Sequence, residues 1–144
     1  VNLAYEEGLA WGRASRTGAH VNAKPSILIV DDDPAVLGSL SFMLEAEGFD
    51  VCAIGDVCEL LSCDSICGHD CLVVDYCMPV MNGFDVLRWL RERKVDAPAL
   101  MITASPEAKL RARALEAGFA RVIEKPLLDG ALGDDIKAVI SAPR

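Results

Sequence analysis

Five residues of this 144-residue chain have types and places suited to chemistry: Asp31, Asp32, Asp75, Thr103 and Lys125. Each follows or closes a run of apolar residues. Asp31 and Asp32 follow Ile27-Leu28-Ile29-Val30, and Asp75 follows Cys71-Leu72-Val73-Val74. If those two runs lie side by side, three carboxylates converge, and bare carboxylates at that separation repel one another. A hard divalent cation relieves the repulsion, and Mg²⁺ fits, because it takes oxygen ligands from one or two carboxylates together with waters and phosphate oxygens. The same preference implies a phosphoryl group in the crevice. Lys125 offers a point positive charge and Thr103 a hydroxyl donor, both suited to phosphoryl oxygens. A carboxylate can itself be the nucleophile, giving an aspartyl phosphate, and Asp75 is the candidate because it stands apart from the Asp31-Asp32 pair. Plainer roles exist for single members: Asp33 suits a helix N-cap, Thr103 a cap for its own loop, Lys125 an ordinary surface position.

Positioning these residues requires a regular scaffold, and the hydrophobic pattern supplies one. Strands are predicted at Ile27–Val30, Phe49–Ile54, Cys71–Val74, Ala99–Ile102 and Arg121–Glu124. Helices are predicted between them. The first opens at Asp33-Pro34, carries Val36, Leu37, Leu40, Met43 and Leu44, and stops at Gly48. The others cover Val57–Leu61, Phe84 to Leu90, Glu107–Ala117 before Gly118, and Leu127–Ile140, the last weakened by Gly130 and Gly133. Alternation of this kind gives an α/β fold, a doubly wound five-stranded parallel sheet covered on both faces. In such sheets reactive groups gather at the carboxyl ends of the strands, where all five residues fall.

The rest of the composition narrows the function. With 52% hydrophobic residues the chain can bury a core, and no apolar run has the length of a membrane span. A net charge of −8 argues against direct nucleic acid binding. Residues 1–24 are sparse in apolar side chains and are expected to be an N-terminal extension or tail, with Leu3, Ala4, Glu7, Ala10 and Trp11 able to form one amphipathic turn. Residues 25–141 form the domain, and 142–144 its end or the start of a linker. Six cysteines, Cys52, Cys58, Cys63, Cys67, Cys71 and Cys77, match neither zinc-knuckle spacing nor a disulfide scaffold. Cys52 and Cys71 are expected in the core and the others in a connecting loop, in a reducing, cytoplasmic setting.

The segments Ile27 to Pro34, Leu72 to Gly83, Met101-Ile102-Thr103-Ala104 and Glu124-Lys125-Pro126 resemble, in order and interval, the receiver domain of two-component response regulators. The resemblance runs from about Ser26 to Ile140. It implies a flavodoxin-like (βα)₅ fold with strand order 2-1-3-4-5. It also implies that Asp75 accepts a phosphoryl group from a phosphohistidine on a sensor histidine kinase or histidine phosphotransfer protein. Asp31, Asp32, Asp75 and the backbone carbonyl of Cys77 would hold Mg²⁺, Asp31 through water. Thr103 and Lys125 would bind the phosphoryl oxygens, and the Lys125-Pro126 peptide would be cis. The chain would then be a signalling phosphoacceptor, catalysing only its own phosphorylation and dephosphorylation, with Cys77 and Ser105 bordering the path of hydrolytic water. An output face is implied on the fourth helix, fifth strand and fifth helix, with Lys109, Arg111 and Arg113 exposed and a homodimer as one use of it.

One position departs from the pattern. Receivers carry an aromatic residue three before the lysine, and here Val122 stands there, so coupling through a swinging aromatic ring is in doubt. Two other readings compete. A haloacid-dehalogenase-type phosphatase uses an Asp-x-Asp motif, present in Asp31-Asp32-Asp33, but would leave Asp75 idle and offers only Asp134 and Asp135 as a later acidic motif. A pseudo-receiver would serve only as a docking module. The sequence leaves a single receiver and a piece of a larger regulator equally open.

Overall fold

The computed structural model describes residues 23–127 and 130–143, so the expected amphipathic turn near the N-terminus lies outside the described residues. The strands are β1 (Ser26–Val30), β2 (Asp50–Ile54), β3 (Cys71–Asp75), β4 (Ala99–Thr103) and β5 (Arg121–Glu124). Between them run α1 (Pro34–Ala46), α2 (Val57–Leu61), α3 (Gly83–Glu92), α4 (Ala108–Ala117) and, last, α5 (Ala131–Ser141). All strand pairs are parallel, in the order β2-β1-β3-β4-β5.

Continuous apolar strands are what a sheet covered on both faces requires, because alternate residues must satisfy two cores. In β1, Leu28 and Val30 face one layer with Leu72, Val74, Met101, Leu87 and Leu90. Ile27 and Ile29 face the other with Val73, Leu100, Ile102, Leu40, Leu44 and Ile136. The two layers hold the sheet rigidly, so the residues at its carboxyl edge are fixed in position.

Chain ends of the helices follow local chemistry. The Asp33 carboxylate accepts from the backbone N–H of Ala35 and Val36, with Pro34 at the first helical position. Asn82 and Asp85 close a capping box at the start of α3. Small differences from the sequence reading have identifiable causes. Phe49 lies outside β2, buried in the turn where its N–H donates to the Leu44 carbonyl. Glu107 is the N-cap of α4 and lies outside the helix proper. The last helix begins at Ala131 and not Leu127, because Gly130 takes the left-handed conformation (φ 70°) that a helix cannot include. Cys58 stands on α2 and Cys77 in the loop after β3, so those two are not in the α2–β3 connection. Cys71 is buried, Cys52 half-buried, and Cys63 packs against the core as well. All six thiols are free.

Candidate functional site

The pairing of β1 with β3 brings the ends of two non-consecutive strands together, with Val30 beside Val74. Beyond them Asp31, Asp32 and Asp75 present carboxylate oxygens all within 4.8 Å of one another. Among the described residues this is the one group of three or more His, Cys, Asp or Glu side chains close enough to share a metal ion. Cys63, Cys67, His69 and Cys71 form no such group; both ring nitrogens of His69 are bonded within the protein, to the Ser26 hydroxyl and the Ser65 carbonyl.

Burial differs within the triad. Asp31 is wholly buried, Asp75 nearly so, and Asp32 is exposed. Asp31 Oδ1 accepts from the backbone N–H of Asp33 at 2.9 Å and Oδ2 from Lys125 Nζ at 2.9 Å. Lys125 Nζ also lies 3.2 Å from Asp75 Oδ1, so one ammonium group bridges two carboxylates. The cis Lys125-Pro126 peptide follows directly. Burial, then the neighbouring Asp31 charge, hold the Asp75 carboxyl above the usual carboxylate range, with Lys125 opposing them. Burial acts to lower the Lys125 pKa, but its bonds to Asp31 and Asp75 outweigh it and the net direction is upward. One cation against three carboxylates leaves the cluster short of positive charge, and an all-oxygen, partly open donor set is what a small hard cation prefers. The residues therefore fit Mg²⁺.

Thr103 ends β4, buried, with its Oγ1 accepting from the Ser105 N–H at 3.3 Å. That is the loop-capping role open to it, and it leaves the hydroxyl proton available for donation. Cys77 is exposed, two residues past Asp75. Its loop is anchored by Tyr76 N–H to the Ile102 carbonyl and Gly83 N–H to the Tyr76 carbonyl, each 2.9 Å. Beside Lys125 an apolar cleft of about 540 Å³ opens between Val36, Leu40 and Leu127.

Gly83 belongs to the site although it carries no reactive group. A Cβ there would lie 2.9 Å from the Asp75 carbonyl oxygen and 3.1 Å from Tyr76 Cα, so only glycine lets α3 start this close to Asp75. Its signal was present as the glycine following the Asn82 cap. Val122 is half-buried on β5, where Arg111 donates to its carbonyl. Lys109, Arg111 and Arg113 are all exposed, as expected. Asp134 and Asp135 lie on α5, with Asp135 paired to Arg121. The phosphatase alternative thus finds its later acidic motif spent on a helix, and its idle residue, Asp75, inside the carboxylate cluster.

Comparison with known proteins agrees with this geometry. The family model described as response regulator receiver domain matches residues 27–137. The DNA-binding response regulator MtrA of Mycolicibacterium smegmatis is 37% identical over 100 residues, covering 69% of this chain and 43% of that protein. The non-phosphorylated HemR receiver domain from Leptospira biflexa superposes with a TM-score of 0.75 at 31% identity, covering 84% of this chain and 98% of that one. Chemotaxis protein CheY4 of Vibrio cholerae gives 0.75 at 25% identity over 81% and 99%. This chain spans about half the length of the curated relatives it matches. Among the described residues no helix is long and apolar enough to cross a membrane.

Proposed function

The chain belongs to the response regulator receiver domain family of two-component signalling, and from that premise we propose that Asp75 is its phosphoacceptor. The observation that carries this reading is the placement of Lys125 Nζ between Asp31 and Asp75, beside the third carboxylate of Asp32. A carboxylate oxygen of Asp75 attacks the phosphorus of a phosphohistidine. The new O–P bond forms as the N–P bond breaks, and the leaving imidazole takes up a proton. Asp31, Asp32, Asp75 and the Cys77 carbonyl would hold Mg²⁺, which when bound offsets the charge of carboxylates and phosphoryl oxygens. Lys125 pairs with a phosphoryl oxygen, and the Thr103 hydroxyl donates to another, drawing the loop after β4 inward.

The donor is a sensor histidine kinase or a histidine phosphotransfer protein. The apolar cleft beside Lys125 gives it a surface next to the acceptor. The protein's own turnover is limited to gaining and losing this phosphoryl group, with Cys77 and Ser105 flanking the approach of water. Six free thiols support a reducing, cytoplasmic location. Regulation of DNA by the whole protein would run through a partner or further domain, the described chain being acidic. The test is intact-mass spectrometry after incubation with Mg²⁺ and acetyl phosphate. Wild type gains a base-labile adduct of about 80 Da, one phosphoryl group, and Asp75→Asn gains none; equal labelling of the variant refutes the assignment.

A further inference from the structure

Basic charge is distributed unevenly along the chain. Residues 83–118, which span α3, β4 and α4, hold seven of the 14 Lys and Arg but five of the 22 Asp and Glu, a net of +2 within a chain of −8. Between α3 and α4 lies a groove of about 570 Å³. Phe84, Leu87 and Ala117 give it apolar walls, and Arg88 and Arg113 stand on its two sides. The Arg88 side chain is 70% exposed and reaches Asp85 only at 3.9 Å. Arg113 lies over the Phe84 ring at 4.9 Å, which orients the guanidinium at the groove. Arg111, two residues before it, turns away to the Val122 carbonyl.

We propose that this α3–α4 groove is a docking surface for an acidic, amphipathic segment of a partner protein. Apolar side chains of the segment rest on Phe84, Leu87 and Ala117, and spaced carboxylates meet Arg88 and Arg113. Glu116, also on the rim, interrupts the positive field and disfavours a dense polyanion such as a nucleotide or nucleic acid. The groove is wired to the acidic crevice. Phe84 packs edge-on against Tyr76, the residue after Asp75, with centroids 5.7 Å apart, and against Phe119 at 6.1 Å. Tyr76 and Arg113 also share a second cleft, of about 270 Å³, with Ser105, Lys109 and Leu110. A movement of the loop after Thr103 therefore closes on Tyr76 and is felt at Phe84 and Arg113. This supplies a route to α4 that does not use the aromatic position occupied by Val122. The coupling, unlike the docking surface itself, rests on Asp75 being the phosphoacceptor.

The test is fluorescence anisotropy with a labelled synthetic helical peptide of Glu, Ala and Leu, and its Lys-for-Glu counterpart, on the full chain. The acidic peptide binds and the basic one does not. The double variant Arg88→Glu/Arg113→Glu weakens binding by roughly tenfold or more, while Arg111→Glu/Arg121→Glu, in the separate cleft beside Val122 and Ile123, changes it less than about twofold. Equal weakening by both pairs, no effect of the first, or ATP displacing the peptide overturns the docking surface. With Mg²⁺ and beryllofluoride as the phosphoryl mimic, affinity rises by about threefold or more. Tyr76→Ala abolishes that rise, and Tyr76→Phe, which keeps the ring, retains it. Unchanged affinity when fluorine NMR shows beryllofluoride on the protein overturns the coupling. Absence of any beryllofluoride signal counts against the phosphoacceptor reading, and peptide binding to the unmodified chain still decides the groove.

Discussion

The two ends of strands β1 and β3 both carry polar groups, and they resolve them in opposite ways. At the amino end, Ser26 N–H donates to Asp70 Oδ2 at 2.8 Å, and Asp70 N–H donates to the Ser26 carbonyl at 2.7 Å. His69 Nε2 donates to the Ser65 carbonyl at 3.0 Å, and in the neutral ring Nδ1 accepts from the Ser26 hydroxyl at 2.8 Å. This circuit is closed by the neutral imidazole, the form that burial of His69 favours. At the carboxyl end three carboxylates share one ammonium, and the deficit of positive charge persists. Equally polar strand ends thus differ in function because one satisfies itself and the other needs something from outside.

The strongest way to break this contrast is to force the carboxyl end open. Gly83→Val places a side chain where 2.9 Å separates a Cβ from the Asp75 carbonyl, and is expected to cost about 2 kcal/mol or more and to abolish Mg²⁺ binding. Urea melts with and without Mg²⁺ measure both. Next, Asp75→Asn should stabilise the ion-free fold by about 1 to 3 kcal/mol at neutral pH while lacking the further stabilisation expected of Mg²⁺ in wild type. The sign follows from linkage. The folded chain holds a proton on Asp75 more readily than the unfolded chain, so wild type gains stability as pH falls through the raised value toward about 3.9. Its deficit against Asp75→Asn shrinks over that window.

The amino end should respond with the opposite sign. Burial holds the His69 pKa below its usual value, against the Ser65 and Asp70 contributions. The fold therefore takes up a proton there less readily than the unfolded chain. Relative to His69→Gln, wild type loses stability as pH falls below about 6.5 through the lowered value, and equal pH slopes would show the circuit to be unimportant. The smallest effect is expected in the loop over the crevice. Val80 is β-branched, 92% exposed, and sits at φ 74°. Val80→Gly should stabilise by about 1 kcal/mol, read as a shift in the urea midpoint.

The apolar runs and the carboxylates that close them were legible in the sequence because both obey short-range rules: continuous β-branched runs for strands buried on both faces, and an Asp-Pro step for a capped helix. Thr103 and Lys125 were legible for the same reason, as strand-end residues of the right chemistry. The Tyr76–Phe84–Phe119 packing and the Arg113 stack were not, since they join residues on different elements with no common period. Nor was the His69 circuit, because two ordinary serines and an aspartate give no spacing signal. The late start of α5 depended on one backbone angle at Gly130. What escaped was tertiary, and what was read was local.

Lys125 and Asp31 are 94 residues apart. During synthesis the chain therefore presents its carboxylates long before the ammonium that bridges them has been made, and β5, the strand that precedes it, is the last strand to be synthesised. With Asp75 as the proposed acceptor, competence to accept a phosphoryl group would then double as a mark of completion: a chain ending before β5 would carry the carboxylates without the ammonium that bridges them, and such unfinished copies would stay silent in the signalling pool.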